Sequence, residues 1–160
     1  GAFGVCFAGL AALDGMIESL SAAVLDRGVP FLGICVGMQL MATSSLEHQR
    51  QDGLNWIGGE VVPMPLSDDN LKIPHMGWNE LHLAASHPVL DGVETGDHVY
   101  FVHSYHFEVD DKKALLAAVN YGGYQTAIVG RDNMIGTQFH PEKSQQTGLR
   151  IIENFLNWRP

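Results

Sequence analysis

The chain has 160 residues, 46% of them hydrophobic, which fits one compact domain with a substantial core. Its formal net charge is −9 and its nine Lys and Arg residues are scattered, which argues against nucleic-acid or membrane partners. Two cysteines are too few for a disulfide framework, so the cytoplasm is the expected compartment.

The N-terminal elements are predicted to be helix, strand and helix. Apolar residues recur at helical spacing over residues 5–27 and predict an amphipathic helix. The short apolar run of residues 30–35 predicts a buried parallel strand, and residues 37–46 predict a second helix. A strand, a turn and a helix in this order form the βα unit of an α/β fold.

The rest of the chain is predicted to be rich in strands after a loop that includes residues 67–70. Five runs predict strands, at residues 77–83, 99–106, 115–120, 126–130 and 134–139. Residues 121–124 predict a hairpin connection. Residues 144–158 predict a final helix with Ser144 as its N-cap. The apolar face of this helix is predicted to carry Leu149, Ile152, Phe155 and Leu156.

Cys35 lies where the predicted strand joins the predicted helix. A nucleophile on such a sharp turn has a strained backbone, and the residues two before and two after it must be small, as Gly33 and Gly37 are. The helix N-terminus favours the thiolate of Cys35, and the N–H of Val36 points to where a substrate oxyanion would form. By itself the motif also fits a buried structural cysteine.

Gln39 follows Cys35 by one helical turn, so it lies on the same helix face and could reach a ligand held at the nucleophile. An exposed helical glutamine is the alternative.

His140, Pro141 and Glu142 follow the last predicted strand. A residue before proline favours an extended backbone, so residues 140 and 142 face the same way and the carboxylate can orient the imidazole. The carboxyl ends of parallel strands form one edge of the sheet, where catalytic loops gather. The segment therefore predicts a general base beside its orienting acid, with an incidental surface turn as the alternative.

Residues 33–39 together with residues 139–142 resemble the class I (triad-type) glutamine amidotransferases, which include the glutaminase parts of CTP synthetase, GMP synthetase and anthranilate synthase. Residues 73–79 and 140–144 are similar, more specifically, to the glutaminase subunits of imidazole glycerol phosphate synthase, which serve histidine biosynthesis. The likeness runs along the whole chain. It implies an α/β fold with a flavodoxin-like, open, mostly parallel sheet flanked by helices, with added antiparallel strands.

The resemblance implies a role for each matching residue. Cys35 is expected to be the nucleophile, His140 the general base and acid, and Glu142 the residue that orients His140. The residues expected to bind glutamine are Gln39, Ser104 and Tyr105. No cofactor is expected.

The resemblance also implies what lies around this site. The expected partner is a (βα)8-barrel cyclase subunit that receives the ammonia in a heterodimer. The residues expected at that interface are Met76, Trp78, Asn79 and Lys143. The oxyanion hole is expected to combine Val36 with Gly1, which matches the last glycine of a family loop. Residues 1–160 are therefore expected to be a single amidotransferase domain that lacks its N-terminal strands.

Other interpretations stay open at this point. The chain could serve a GMP or CTP synthetase instead, against which residues 74–79 argue, or it could be an inert binding module of the same fold. A metal site is disfavoured, because His103 and His106 are three apart and would lie on opposite faces of one strand. Cys6 is expected to be an inert packed thiol.

Overall fold

The computed structural model describes residues 2–65 and 71–160, so the expectations for Gly1 and for the loop at residues 67–70 lie outside it. The helices are α1 (Phe3–Ala11), α2 (Met16–Ser21, continued by the π-helical turn Ala22–Asp26), α3 (Val36–Gln39) and α4 (Gln145–Asn157). The first five strands are β1 (Phe31–Ile34), β2 (Ser44–Ser45), β3 (Gln51–Asp52), β4 (Gly59–Pro63) and β5 (His75–Leu83). The other five are β6 (His98–His103), β7 (Tyr105–Val109), β8 (Leu115–Asn120), β9 (Tyr124–Arg131) and β10 (Met134–Thr137).

The main sheet has six strands in the order β1-β10-β9-β8-β5-β6. Among its described strands, only β1 and β10 pair in parallel, and the other neighbours are antiparallel. The predicted α/β class is confirmed as a mixed sheet with helices, in which the expected antiparallel strands form the larger described part. A second sheet has the order β3-β2-β4-β7.

Two helix predictions were wrong in extent. The predicted helix at residues 5–27 is interrupted at residues 12–15, where Gly15 adopts a left-handed conformation (φ 69°) that ends the regular helical path. The predicted helix at residues 37–46 ends after Gln39. There the carbonyls of Leu40, Met41 and Ala42 accept hydrogen bonds from the backbone N–H groups of residues 54–57, so tertiary bonds replace helical ones.

No single described helix is long and apolar enough to cross a membrane. The α1–α2 pair meets those criteria only when taken together across a bend of 96°.

The predicted strand at residues 99–106 is in fact two strands in different sheets. β6 belongs to the six-stranded sheet, β7 belongs to the four-stranded sheet, and Ser104 lies between them. The carbonyl of Ser104 accepts a hydrogen bond of 3.3 Å from the N–H of Met64 instead of continuing a ladder. This switch places the residues on either side of Ser104 at the junction of the two sheets.

The core lies on both faces of the six-stranded sheet. Ile128 and Ile135 pack in the cluster that includes Ile151 of α4, whereas their neighbours Val129 and Met134 pack in the cluster of the first three helices. The predicted apolar face of α4 is partly wrong, because Leu149 and Leu156 are more than half exposed while Ile151 is fully buried. The sheet therefore separates two apolar layers. The candidate site lies at the carboxyl ends of the parallel strands β1 and β10.

Candidate active site

Cys35 has the strained backbone that its position between β1 and α3 predicts. Its φ is 53° and its ψ is −112°, a conformation that costs a non-glycine residue on the order of 1–3 kcal/mol. Its N–H donates to the carbonyl of Thr137 at the end of β10, at 2.7 Å. The turn is therefore held by the parallel pairing of β1 with β10.

The two glycines around Cys35 have different roles. A Cβ added at Gly33 would lie 2.7 Å from the carbonyl oxygen of Gly37, so position 33 admits no side chain without a backbone shift. A Cβ added at Gly37 would meet no heavy atom within 4 Å in the described part of the chain. The prediction that small residues are needed on both sides is confirmed for Gly33 and wrong for Gly37, because only the strand side faces the helix backbone.

The protonation of Cys35 differs from the prediction. Burial raises the pKa of the Cys35 thiol, and the charge of Glu142 raises it further. The N–H of Val36 forms a hydrogen bond that lowers this pKa, but burial outweighs it. A helix of only four residues has a small dipole to oppose desolvation. Cys35 is thus held mainly as a thiol and needs a base to become a nucleophile.

His140 and Glu142 form the predicted pair. Nδ1 of His140 lies 2.7 Å from Oε1 of Glu142, and the two side chains are 21% and 47% exposed. The carboxylate accepts only, so Nδ1 carries the proton and Nε2 is left as the acceptor. The backbone N–H of His140 donates to the carbonyl of Tyr100 on β6 at 3.0 Å. This bond links the loop after β10 to β6, the strand that lies last in the sheet order, opposite β1.

The side chain of Ser144, at the N-cap position of α4, supports the His140 loop. Its hydroxyl donates to the carbonyl of His140 at 2.7 Å and accepts from the N–H of Tyr100 at 2.9 Å. Ser144 is the N-cap residue of α4, as predicted, but its side chain makes no capping bond to the start of the helix. The hydroxyl has better partners across the sheet than along the helix.

A cavity of about 250 Å³ opens beside Cys35. It is lined by Cys35, Gln39, Glu47, Pro74, Val102, His103, Ser104 and Tyr105. The structure thus brings together the predicted nucleophile and all three predicted glutamine-binding residues, while His140 is not among the lining residues. Four larger cavities, of about 570, 630, 400 and 510 Å³, contain none of these four side chains.

Comparisons with known proteins agree with this geometry. The family model described as glutamine amidotransferase class-I matches residues 7–158. The subunit HisH of imidazole glycerol phosphate synthase from Cereibacter sphaeroides is 59% identical over 160 residues, which are 100% of this chain and 76% of that protein. The HisH subunit from Rhodospirillum rubrum is 58% identical and matches all of this chain and 75% of that protein. The chain belongs to the HisH family of class I glutamine amidotransferases.

Solved structures show the same fold. A Thermoplasma acidophilum protein, described as belonging to a GMP synthase, is 25% identical with a TM-score of 0.62, over 89% of this chain and 63% of that chain. A glutamine amidotransferase from Thermotoga maritima is 21% identical with a TM-score of 0.55, over 87% of this chain and 52% of that chain. The much higher identity to HisH subunits favours the histidine-pathway interpretation over a GMP synthetase one.

Gln138 belongs to this HisH-type site although sequence reasoning missed it. Its side chain is fully buried, its Oε1 accepts from Nε2 of Gln39 at 3.0 Å, and its Nε2 lies 3.8 Å from Sγ of Cys35. A signal was available, because a glutamine in an apolar run that leads to His140 is a polar group with no obvious reason to be buried.

The expected interface residues of this HisH-type chain divide into two groups. Met76 and Trp78 are 62% and 47% exposed on one face of β5, and Lys143 is exposed in the 3-10 helix Pro141–Lys143. Trp78 pairs with Tyr100 across the sheet, with ring centroids 6.0 Å apart. Asn79 instead donates inward to the carbonyl of Asn120 at 3.0 Å. Tyr100 thus lies between the exposed Trp78 and the backbone of His140.

The remaining histidines and Cys6 do not gather around a metal. Within residues 2–65 and 71–160, no three His, Cys, Asp or Glu side chains are placed to hold an ion. His103 and His106 lie on different strands, so the expected one-strand alternation does not apply to them. Cys6 is a free thiol, partly buried against the core cluster of the first helices.

Proposed function

We propose that residues 1–160 form one amidotransferase domain in which Cys35, His140 and Glu142 hydrolyse the side-chain amide of glutamine. The observation that carries this proposal is the parallel pairing of β1 with β10, because it ends both strands at one edge and puts the Cys35 turn beside the His140 loop. The bond from the Cys35 N–H to the Thr137 carbonyl is the last link of that pairing.

The proposed reaction begins with proton transfer. Because burial raises the pKa of Cys35, the thiol is protonated before the reaction and needs a base. It gives its proton to Nε2 of His140, and Glu142 stabilises the resulting imidazolium through Nδ1–H. Sγ then attacks the carboxamide carbon, and the leaving nitrogen takes the proton from His140 and departs as ammonia. Water, deprotonated by the same imidazole, hydrolyses the thioester to glutamate and restores the thiol.

The cavity beside Cys35 is the proposed glutamine site. Gln39, Ser104 and Tyr105 line it and supply amide, hydroxyl and backbone groups for a polar substrate. The N–H of Val36, which points at the Cys35 sulfur, is the proposed oxyanion donor. Gly1 is proposed as a second contributor on the strength of the family loop alone.

We further propose a cytoplasmic heterodimer with a (βα)8-barrel cyclase subunit that receives the ammonia. Ammonia released into bulk water would be protonated and lose its nucleophilicity, so the acceptor must lie against the site. The exposed Met76, Trp78 and Lys143 support this docking face, since aromatic and long apolar side chains anchor interfaces. Asn79 belongs to the same segment, and its role there is to hold the strand.

The test uses the complete glutaminase subunit with its cyclase. Cys35→Ala is expected to abolish glutamine hydrolysis, and Cys6→Ala, the matched control on the other thiol, is expected to leave it within about twofold. A glutamine-analogue electrophile should label Cys35 alone. Full activity in Cys35→Ala, or labelling at Cys6, would overturn the proposed site.

A further inference from the structure

Two buried histidines contact each other at the wall of the proposed glutamine cavity, which His103 lines. His75 and His103 are only 3% and 6% exposed, and they are register partners on β5 and β6. Nδ1 of His75 lies 3.1 Å from Nε2 of His103. The ring of His75 also stacks on those of Phe101 and Tyr121, with centroids 4.7 and 4.0 Å away. The imidazoles are thus fixed in orientation from both sides.

Their hydrogen bonds have only one consistent direction. Nδ1 of His103 lies 2.9 Å from the carbonyl oxygen of Tyr105, which can only accept, so that nitrogen carries the proton. Nε2 of a neutral His103 is then an acceptor, and Nδ1 of His75 must donate to it. Nε2 of His75 in turn accepts from Nδ2 of Asn79 at 3.3 Å. Both rings are neutral Nδ1–H tautomers, consistent with burial, which lowers the pKa of each to about 4.

The chain of bonds continues to the nucleophile. The Tyr105 carbonyl also accepts from Nε2 of Gln39 at 3.1 Å. The second hydrogen on that nitrogen goes to Oε1 of Gln138 at 3.0 Å, and Nε2 of Gln138 lies 3.8 Å from Sγ of Cys35. A directed chain of hydrogen bonds thus runs from Asn79 on β5, beside the exposed Trp78, through His75 and His103 to the Tyr105 carbonyl. Gln39 donates to the same carbonyl from the other side and, through Gln138, connects it to Cys35.

We propose that His75 and His103 are positioning residues for the glutamine site, which they organise by holding the Tyr105 carbonyl and, through it, the amide of Gln39. This inference rests on the proposed function, because it assumes that glutamine occupies the cavity of Cys35 and Gln39. Neither histidine exchanges a proton with substrate. Without the bond from His103, the Tyr105 carbonyl loses one of its two donors and the cavity wall at the sheet junction is free to shift.

His106 offers a matched control in the same region. It is 4% exposed, as deeply buried as His103, yet neither of its ring nitrogens has a hydrogen-bond partner among the described residues. Its Nε2 lies only within ion-pair range of Glu108, at 3.6 Å. Replacing His106 with phenylalanine therefore removes an imidazole as deeply buried as that of His103, but it breaks none of the hydrogen bonds that connect Asn79 to Tyr105.

The first experiment compares His103→Phe, His103→Asn and His106→Phe in the complete enzyme. The asparagine amide can keep the donor near the position of Nδ1, whereas phenylalanine keeps only the ring. We expect His103→Phe to raise the KM for glutamine about tenfold, and His103→Asn and His106→Phe to stay within about twofold, since one lost hydrogen bond corresponds to about that factor. An unchanged KM in His103→Phe, or an equal loss in His103→Asn, overturns the inference.

The second experiment uses the unsubstituted protein, so its result does not depend on whether a variant folds. Nitrogen chemical shifts of the histidine side chains at pH 7 report which ring nitrogen carries the proton. We expect His75 and His103 both to be protonated at Nδ1 alone, and an Nε2–H tautomer at either one contradicts the directed chain. These outcomes are separate from the labelling of Cys35, so a failed positioning role and a failed catalytic assignment give different results.

Discussion

At the scale of single residues, the turn at Cys35 has a steric requirement and an electrostatic one, and different residues meet them. Gly33 meets a steric requirement, because α3 passes directly over it, whereas Gly37 faces open space in the described structure. Cys35 occupies the turn at the cost of a strained φ and a pKa that burial raises. In the proposed mechanism, the His140–Glu142 pair supplies the base that such a buried thiol needs.

Gly33→Ala and Gly37→Ala test the steric difference. In Gly33→Ala the new Cβ meets backbone that cannot move cheaply, so we expect the free energy of unfolding to fall by about 1–3 kcal/mol. In Gly37→Ala we expect no loss and a gain of up to about 1 kcal/mol, because alanine favours the helix. Urea denaturation of the two variants measures both changes. Equal destabilisation by both would show that the turn requires two small residues after all.

At the scale of elements, β6 and the loop after β10 connect the candidate active site to the face that exposes Met76 and Trp78. Tyr100 contacts the exposed Trp78 through its ring and binds the backbone of His140 and the hydroxyl of Ser144 through its own backbone. A partner that packs on Trp78 therefore presses on a residue directly attached to the proposed catalytic loop. The proposed docking face and the proposed catalytic loop are therefore connected through Tyr100.

Trp78→Ala and Lys143→Ala test the docking face. We expect each to weaken binding to the cyclase by about tenfold or more, as for interface anchors, while a cysteine-directed alkylating reagent still modifies Cys35 at the parent rate. His82→Ala, four residues further along the same strand and packed against Tyr124 instead of Tyr100, serves as the control and should bind as the parent does. Titration calorimetry measures the affinities. Parental binding by both variants would place the interface elsewhere.

At the scale of the whole molecule, the buried histidines give the fold a dependence on pH. Burial lowers the pKa of His75 and of His103 to about 4, and the pKa values of His87 and His106 are lowered for the same reason. Facing His103 are the imidazoles of His75 and His106, and facing His106 is Glu108. Between pH 6.5 and pH 4 the unfolded chain binds more protons than the folded one, so stability is lost as the pH falls.

The pH dependence of urea denaturation measures this effect. From pH 7 to pH 5 we expect His75 and His103 to cost the folded state on the order of 1–2 kcal/mol each. His103→Asn, which keeps the donor but cannot titrate, should show a shallower fall than the parent over the same interval. If the variant and the parent fall in parallel, folding does not lower the pKa of His103.

The sequence by itself determined the parts of the site that depend on near neighbours. The strained turn at Cys35 and the contact of His140 with Glu142 follow from residues two positions apart, where backbone sterics decide the geometry. Only the tertiary structure decided the early end of α3, the change of sheet at Ser104 and the bridge from Gln138 to Cys35. These features depend on distant partners, as in the bond from the N–H of Leu54 to the carbonyl of Leu40 and in the contact of Gln138 with Cys35, 103 residues away. Local propensity cannot supply such partners, because burial and hydrogen bonding across the sheet junction select them.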